Sequence, residues 1–460
     1  MSFSTFLFMG WFLPFALAIY YLVPQKGKRY VFFVFNILFV VYGSLSTPLT
    51  LAVTAASVVA NYTFGTCIEY ASKQRSKKAI FVVGVLANAL LLFTFKYLNF
   101  FAGILAPDFY LEVVLPLGIS FYTFQSISYL SDVYHERCKS EHSFVHFFNY
   151  ILLFPQLIAG PIVRYPDIRK RLHHPRFQAR EFVSGIEEFI LGLMLKAVFA
   201  DTLSAIWVKV EAVGFASIST PFAWLGIVSY SLQLYLDFAG YSMMAIGLGR
   251  MFGLPIPKNF DYPYLSTTMT EFWRRWHMTL GSWFRDYIYI PLGGNRKGKA
   301  RTYLNMFVVW MLTGFWHGAD WNFLLWGFFL FFFITIEKLF LGKLMNRAKW
   351  LGHIYMILLI PLSWMIFAIT DIPGLAVYAG RLVGIGGESV YAGDFMKYFS
   401  DYWPFLLGGL LLSTPLPRKL YNAITRRVKP LRYLLLAGIL AGSCYMIYVG
   451  MNNPFMYFAF

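Results

Sequence analysis

The sequence has little charge, little cysteine and no internal repeat. Only 13% of its 460 residues are charged, about half of the share of about 25% in typical soluble domains. Its three cysteines, Cys67, Cys138 and Cys444, lie far apart and form no CxxC or Cys/His motif, so neither a disulfide framework nor a zinc site is predicted. So little charge cannot cover the surface of a soluble globule, which excludes a soluble enzyme, a disordered chain and a coiled coil.

Apolar residues are abundant instead. Hydrophobic residues make up 58% of the chain and aromatic residues 20%, and the mean hydropathy is +0.58. The apolar stretches are continuous rather than alternating, which favours membrane helices over a barrel. A helix needs about 20 residues to cross the hydrocarbon core, so about ten to twelve crossings are possible. The sequence therefore predicts an all-α polytopic membrane protein. The clearest runs are Phe3–Val23, Val31–Gly43, Leu49–Ile68, Ala79–Phe95 and Leu115–Leu130.

Basic residues occur in clusters between the apolar runs. The clusters lie at Lys26–Arg29, Lys73–Lys78, Arg164–Arg180, Arg274–Arg301, Lys338–Lys349 and Arg418–Lys429. Because cytoplasmic loops of membrane proteins are enriched in Lys and Arg, we expect these clusters on the cytoplasmic face. Asp371–Tyr402, with four acidic and two basic residues, is expected to be an external loop. The net charge of +17 then faces membrane lipids and anionic substrates, and no nucleic-acid partner is expected.

Three segments suit lipid contact poorly. Phe154–Pro161 has two prolines and a glycine in an apolar run, which predicts a re-entrant loop, with a kinked helix as the alternative. Thr268–Ile290 mixes three Trp with three Arg, which predicts a helix in the membrane interface, with a simple aromatic belt as the alternative. The third segment, Thr313–Asp320, contains His317.

His317 is the strongest candidate for a catalytic residue. It lies between two apolar stretches, Tyr303–Phe315 and Phe323–Ile336, which as helices of about 14 residues would each span roughly 21 Å. Because that is short of a full crossing, we expect His317 to lie within the membrane zone, where an ionisable residue is a functional candidate. Gly314 and Gly318 flank His317 and are expected to leave room for another group to approach.

Weaker predictions concern Asp237 and the other histidines. His277 is either catalytic or a simple hydrogen-bonding residue. A buried Asp237 needs a partner, and we expect an arginine in a structural pair, with orientation of a catalytic group as the alternative. His142 and His146 have the spacing of metal ligands, but without a zincin motif we expect a solvated helix face and no bound metal. No catalytic role is predicted for His135, His173, His174 and His353.

The pattern of motifs favours acyl transfer. The sequence has no GxSxG or Cys/His nucleophile motif, no P-loop and no dinucleotide-binding fingerprint. A buried histidine can act as general base on an attacking hydroxyl, and a thioester donor is already activated. A transporter is the alternative from another functional class, although transporters often contain internal repeats.

Several motifs together resemble the membrane-bound O-acyltransferase (MBOAT) family. They are Pro116–Phe124, Gly160–Arg164, Asn259–Phe260, Glu271–His277, Trp283–Tyr287 and Gly314–Gly318. The sequence looks most like the bacterial alginate and peptidoglycan O-acetylation proteins, while Asp237–Met244 is more similar to the teichoic-acid D-alanylation proteins. The resemblance covers a core of about residues 1–340, followed by additional helices in about 350–460 that end at Asn453–Phe455, within a single domain of residues 1–460.

The resemblance implies a fold and a set of site residues. The fold is a ring of about 10–12 helices around a transmembrane tunnel, with re-entrant and interfacial helices, in the inner (cytoplasmic) membrane. His317 matches the family's catalytic histidine and His277 its second polar position. The residues expected to support them or to bind the donor are Trp273, Arg274, Arg275, Arg285, Asp286, Trp316, Asn259 and Asp237.

The resemblance also implies substrates and partners. The donor is acetyl-CoA or another acyl thioester, and no cofactor or metal is bound. A periplasmic or extracellular partner of the SGNH type then completes O-acetylation of a cell-envelope or secreted polysaccharide. The alternatives among enzymes are D-alanyl transfer to teichoic acid from a carrier-protein thioester and acylation of a lipid.

Overall fold

The structure, a computed structural model, describes residues 2–106, 110–386, 390–391 and 393–450, and for Asn346 the backbone only. All regular secondary structure in these residues is helical. The all-α class is therefore confirmed. Glu388, one acid of the predicted external loop, and the terminal motif Asn453–Phe455 lie outside the described residues.

The chain forms two compact units. Unit 1 consists of Met1–Phe189 and Ser242–Lys258, and unit 2 of Ile190–Tyr241 and Asn259–Phe460. The division does not follow the boundary near residue 340 that the resemblance implies, and the single-domain organisation stays a prediction.

Unit 1 contains nine helices and most of a tenth among its described residues. They are α1 (Leu13–Leu22), α2 (Lys28–Gly43), α3 (Pro48–Tyr70), α4 (Gln74–Leu92), α5 (Leu98–Leu105), α6 (Ile119–Tyr134), α7 (Phe144–Ile151), α8 (Phe154–Leu157), α9 (Tyr165–His173) and α10 (Ala179–Met194). A π-helical turn, Phe8–Phe12, precedes α1, and another, Phe93–Tyr97, joins α4 to α5.

Polar and small residues hold α3, α4 and α6 together. Asn61 of α3 and Asn88 of α4 exchange side-chain hydrogen bonds of 3.1 and 2.7 Å. A side chain at Gly65 would overlap the ring of Tyr129, so this glycine lets α3 and α6 approach closely. Small residues and buried amide pairs are the usual means by which membrane helices associate.

The Phe154–Pro161 segment is broken and buried within unit 1. It begins with the four-residue helix α8 and continues without regular structure. The backbone N–H of Phe154 donates to Asn36 Oδ1 at 3.0 Å, and Gln156 Nε2 donates to the carbonyl of Tyr150 at 2.7 Å. Side chains thus satisfy irregular backbone that has no access to water. The segment is not a continuous kinked helix, and its re-entry into a membrane stays a prediction.

Unit 2 contains twelve further helices among its described residues, with α12 extending into unit 1. They are α11 (Asp201–Val213), α12 (Thr220–Met251), α13 (Met269–Arg275), α14 (Met278–Phe284), α15 (Lys299–His317), α16 (Trp321–Ile336), α17 (Gly342–Arg347), α18 (Lys349–Ala368), α19 (Ile372–Leu382), α20 (Asp394–Leu412), α21 (Leu416–Arg427) and α22 (Lys429–Tyr448). Its π-helical turns are Leu195–Ala200, Arg285–Tyr289 and Glu337–Leu341.

Six helices in the described residues are long and apolar enough to cross a membrane. They are Pro48–Tyr70, Gln74–Leu105, Ala179–Val213, Trp321–Met345, Lys349–Ala368 and Lys429–Tyr448, and the shorter apolar helices are Phe8–Leu22 and Phe144–Leu157. The protein is therefore a multi-pass membrane protein. The ten to twelve crossings, the ring and the tunnel stay predictions.

The helices on either side of His317 are longer than predicted. Helix α15 has 19 residues, and the helix that follows runs for 25 residues over Trp321–Met345. At 1.5 Å per residue these lengths are about 28 and about 37 Å, so the predicted pair of short arms is wrong. Burial of His317 results from side-chain packing and not from a short hairpin.

The range Asp371–Tyr402 is largely helical and not the predicted loop, while its external position stays a prediction. This range contains α19 and the first half of α20. The side chain of Asp371 caps α19 by accepting from the backbone N–H of Gly374 at 2.7 Å. Asp394 is buried and accepts from the backbone N–H of Ser219 at 2.8 Å. Two of the four acids therefore stabilise the unit's own backbone.

Candidate active site

The segment Thr268–Ile290 is not the single interfacial helix that the sequence predicts. It forms α13, α14 and a π-helical turn, with a break at Trp276 and His277. The backbone of His277 is left-handed, with φ of 42°. Such a conformation is uncommon outside glycine and is enriched at functional sites, where the surrounding structure enforces it.

Backbone hydrogen bonds hold this break in place. The N–H of Asp261 donates to the carbonyl of Arg275, and the N–H of Met278 donates to the carbonyl of Asn259, both at 2.9 Å. The two bonds fasten the residues around His277 to the segment that begins at Asn259. This arrangement places the Asn259 side chain next to the imidazole.

Asn259 fixes the tautomer of His277. Asn259 Oδ1 accepts from the backbone N–H of Thr279 at 3.2 Å, from Thr279 Oγ1 at 2.8 Å and from His277 Nδ1 at 3.1 Å. Because a carbonyl oxygen only accepts, Nδ1 of the neutral imidazole carries the proton and Nε2 has the lone pair. Nε2 is buried and makes no hydrogen bond to any part of the chain that the structure describes.

The imidazole of His277 is neutral at physiological pH. The residue is only 1% exposed, and burial lowers its pKa to about 3. A base with so low a pKa is weak, because general bases work best with a pKa near the operating pH. His277 is therefore better suited to accept a hydrogen bond at Nε2 than to remove a proton.

His317, the last residue of α15, has a different environment. The residue is 3% exposed, and its ring contacts Trp316, Trp326 and Phe367 at centroid distances of 4.8, 5.1 and 5.3 Å. The last two contacts are nearly perpendicular, at 88° and 81°. Aromatic side chains thus enclose the imidazole and exclude water from it.

A row of tryptophans connects the two histidines within unit 2. Trp276, the neighbour of His277, lies 4.8 Å from Trp364, which stacks on Trp326 at 6.0 Å. Trp326 in turn contacts His317. The structure therefore places both predicted histidines on one aromatic cluster.

The glycines beside His317 do not leave an open space. A side chain at Gly318 would overlap the ring of Phe323, and one at Gly314 would overlap its backbone carbonyl. The group that approaches here is α16 of the protein itself, through Phe323. The glycines instead allow α15 and α16 to pack closely beside His317.

Helix α18 forms one wall of the site, although it follows the core that was expected to end at about residue 340. Asn322 is buried and donates through Nδ2 to the carbonyls of Ile366 and Phe367, both at 3.0 Å. Trp326 Nε1 donates to Ser363 Oγ, also at 3.0 Å. These bonds fix Phe367 against His317. Sequence reasoning missed Asn322 and Phe367, although a lone Asn at the start of a very apolar helix is a usable signal.

The predicted supporting residues Trp316 and Trp273 belong to the same cluster. Trp316 is buried beside His317. Trp273 contacts Trp326 at 5.5 Å and Trp310 at 5.2 Å. Both tryptophans therefore contribute to the aromatic surroundings of His317.

The predicted donor-binding arginines are largely paired with acids. Arg275 Nη2 lies 2.6 Å from Glu271 Oε1, and Arg285 binds both carboxylate oxygens of Asp286 at 2.6 and 3.1 Å. The bond to Asp286 raises the pKa of Arg285. Arg274 is exposed, as are four other basic residues of the same cluster, Arg296, Lys297, Lys299 and Arg301.

Glu337 positions α13 and was missed by sequence reasoning. Its carboxylate accepts from the backbone N–H groups of Met269 and Thr270 at 2.5 and 3.0 Å and from Thr270 Oγ1 at 2.8 Å. A carboxylate at a helix N-terminus satisfies free N–H groups and complements the helix dipole. Its position in the sequence, a single acid directly after the apolar run of α16, could have singled out Glu337 as a candidate.

Asp237 pairs with a lysine and not with the expected arginine. Lys196 Nζ lies 3.3 Å from Asp237 Oδ1 and 2.5 Å from Asp201 Oδ1, and all three side chains are buried. Removing one partner of such a group typically costs about 3–5 kcal/mol, which supports a structural role. Lys196 was missed, although it is a lone charge between apolar residues.

The prediction that His142 and His146 both lie on a solvated helix face holds for one of the two residues. His142 is exposed, whereas His146 is buried in unit 1. The other histidines without a predicted catalytic role include His135, His174 and His353, which are exposed, and His173, which is half-buried.

Comparison with known proteins agrees with the motifs. Residues 38–369 match the profile of MBOAT, the membrane-bound O-acyltransferase family. This range extends past the expected limit of residue 340 and includes the α18 wall. The chain is 37% identical to a probable alginate O-acetylase of Pseudomonas aeruginosa, over 80% of this chain and 72% of the relative.

The names of two further relatives give a different acceptor or a different acyl group. A peptidoglycan O-acetyltransferase of Helicobacter pylori is 32% identical over 87% of this chain and 84% of its own length. A teichoic acid D-alanyltransferase of Bacillus subtilis is 28% identical over 51% of this chain and 62% of its own. Together with the helical, multi-pass architecture, these similarities identify the chain as an acyltransferase that belongs to the membrane-bound O-acyltransferase family.

Proposed function

We propose that this protein moves acetyl groups from a cytoplasmic thioester, acetyl-CoA in particular, to a hydroxyl group for O-acetylation of a cell-envelope or secreted polysaccharide. The observation that carries the proposal is the pair of buried histidines on one aromatic cluster, one with a fixed tautomer. A buried His beside a water-excluding wall suits proton transfer, and a fixed acceptor nitrogen suits substrate positioning.

In the proposed reaction His317 acts as general base. It takes the proton of the attacking hydroxyl while that oxygen bonds to the thioester carbonyl carbon. The carbon–sulfur bond then breaks, and the leaving thiolate takes the proton back from the imidazolium. The products are an ester and a free thiol, so no metal or redox cofactor is needed.

His277 positions the donor. Its Nε2 accepts a hydrogen bond from an amide N–H of the donor's pantetheine arm, which both CoA and carrier-protein thioesters contain. Asn259 keeps the opposite nitrogen protonated, so Nε2 stays an acceptor. The low pKa of His277 supports this role, because a neutral ring accepts such a bond without competing for protons.

The anionic part of the donor binds the exposed basic residues of the Arg274–Arg301 cluster. Arg275 and Arg285 already have carboxylate partners, so their role is to hold α13 and the turn after α14. Arg274 and the exposed Arg296, Lys297, Lys299 and Arg301 are better placed for phosphate groups. Arginine and lysine are the usual phosphate ligands in proteins.

The position of the protein follows from this scheme. It lies in the inner membrane with the basic cluster in the cytoplasm, and the acyl group passes through a tunnel between the helices. A periplasmic or extracellular partner of the SGNH type places the acetyl group on the polysaccharide.

Transfer of D-alanine is the second candidate. It is favoured by the Asp237–Met244 motif, while the O-acetylase relatives match more of the chain and at higher identity. A deletion strain separates the two. Loss of acetyl esters from the envelope polymer supports the proposal, and loss of D-alanyl esters with normal acetylation refutes it.

A further inference from the structure

A cluster of metal-ligand residues lies in unit 1. Glu141, in the segment between α6 and α7, His146 on α7 and His173 at the end of α9 each place a ligand atom within 4.8 Å of the others. Glu141 is 3% and His146 5% exposed, and His173 is half-buried. The cluster shares no residue with the histidine site of unit 2.

The carboxylate at the centre of the cluster is held by several donors. Glu141 Oε2 lies 2.5 Å from His173 Nε2 and accepts from Tyr165 OH at 2.5 Å. Glu141 Oε1 accepts from the backbone N–H of Ser143 at 2.9 Å. These contacts hold the Glu141 carboxylate in a fixed position between its neighbours.

His146 adds a second, independent observation. Its Nδ1 is buried and has no hydrogen-bond partner in the described part of the chain. Its ring centroid lies only 4.0 Å from that of His173. A buried polar atom without a partner is costly, and a metal bound there would satisfy it.

We propose that Glu141, His146 and His173 bind one Zn²⁺ ion, with water as a fourth ligand. Two imidazoles and one carboxylate are a common zinc ligand set, whereas Mg²⁺ and Ca²⁺ prefer oxygen ligands. Zinc takes the place of the hydrogen bond between His173 Nε2 and Glu141 Oε2, and the single proton of the neutral imidazole then lies on Nδ1. In a tetrahedral site with bonds of about 2.0–2.1 Å, ligand atoms are roughly 3.3 Å apart, so those two side chains separate slightly on binding.

The zinc ion fastens the segment before α7 to α7 and to α9. Tyr165 is not a ligand, but its hydroxyl donates to Glu141 Oε2 and so holds this ligand in place. Partners of this kind orient the ligand, and their loss typically weakens metal binding about 10- to 100-fold. None of the three ligands belongs to the site proposed for acyl transfer.

Metal analysis of the full-length protein tests the proposal. The protein, purified in detergent with an affinity tag other than polyhistidine, is expected to contain about one zinc per chain by mass spectrometry of the metal. After chelator treatment it should bind added Zn²⁺ or Co²⁺ one to one, and Co²⁺ should give the visible absorption of a four- or five-coordinate site. Failure of the wild type to bind either metal stoichiometrically overturns the proposal whatever the variants do.

The sequence provides matched controls for the ligands. His146→Ala and His173→Ala should lose the zinc, while His142→Ala and His174→Ala, which remove exposed neighbouring imidazoles, should keep it. Tyr165→Phe should keep the site but weaken zinc binding about 10- to 100-fold. Retention of one zinc in the two ligand variants, or equal loss in the two controls, contradicts the assignment.

Discussion

The two histidines of unit 2 both have aromatic neighbours, among them Phe238 at 4.7 Å from the ring of His277, but they occupy different places in the backbone. His277 sits at a strained break between two short helices, and Asn259 holds its Nδ1. His317 ends a long helix among aromatic rings from α15, α16 and α18. The difference teaches that burial alone does not assign a role. The hydrogen bond to Asn259 fixes the tautomer and the orientation of the His277 ring. The aromatic rings around His317 limit its access to water.

Replacing His317 should have the largest effect. His317→Ala is expected to lower acyl transfer about 10²- to 10⁴-fold, the range typical of a general base. The measurement is the ester content of the envelope polymer in cells that carry the variant at wild-type abundance. His353→Ala removes an exposed histidine of the same unit and should have no effect. Normal esterification with His317→Ala would show that the aromatic rings around His317 are only structural.

Replacing Asn259 tests its hydrogen bonds. Asn259→Ala removes the oxygen, Asn259 Oδ1, that accepts hydrogen bonds from three groups. These groups are the backbone N–H of Thr279, the hydroxyl of Thr279 and Nδ1 of His277. Loss of buried hydrogen-bond partners of this kind costs about 1–3 kcal/mol, so the thermal unfolding temperature in detergent should fall. Asn295→Ala, at an exposed position, is the control. An unchanged unfolding temperature would mean that these hydrogen bonds contribute nothing to stability.

Replacing His277 should affect donor binding more than the chemical step. His277→Ala is expected to lower kcat/KM for the donor about 2- to 10-fold, mainly through KM, because one hydrogen bond contributes about 0.5–1.5 kcal/mol. His277→Gln, whose amide oxygen can accept the same bond, should recover part of the loss. If kcat alone fell as far as with His317→Ala, the two histidines would share the base role and the contrast between them would fail.

The pH dependence of the free energy of unfolding tests whether His277 is buried as a neutral ring. Its pKa is about 3 in the folded protein and 6.5 without burial, so below pH 6.5 the unfolded chain binds a proton that the folded chain does not. The free energy of unfolding should therefore fall as the pH drops from 6.5 towards 3, by up to about 1.4 kcal/mol per pH unit. Thermal unfolding of wild type and His277→Gln at pH 7.5 and 5.0 tests this. The variant should lose less stability on acidification, and equal losses would contradict the burial of a neutral ring.

The sequence predicted the features that depend on composition and local pattern. Continuous apolar runs predicted the helical class, and the scarcity of charge at membrane depth singled out His317 and Asp237. Both side chains are indeed buried. Local pattern could not predict Phe367 against His317, because apolar packing between distant helices has no directional signature.

Other features depend on tertiary structure that overrides local preference. The left-handed backbone of His277 breaks what reads as one amphipathic helix, and only the bonds to Asn259 and Asp261 explain it. A glycine next to a histidine can indicate ligand access or close helix packing. At Gly318 it allows close packing, because the ring of Phe323 lies where a side chain would be. The ring of His146 packs against that of His173 on α9, a contact that the helical spacing of His146 to His142 could not predict.

The most direct test of the account follows the acyl group itself. Everted membrane vesicles, from a host that makes the acceptor polysaccharide and lacks its own copy of the protein, receive acetyl-CoA labelled in the acetyl group. With wild-type protein and with His353→Ala, we expect label in alkali-labile esters of the polymer, and with His317→Ala we expect almost none. Equal labelling with His317→Ala, or labelling only when a D-alanyl carrier thioester replaces acetyl-CoA, would contradict it.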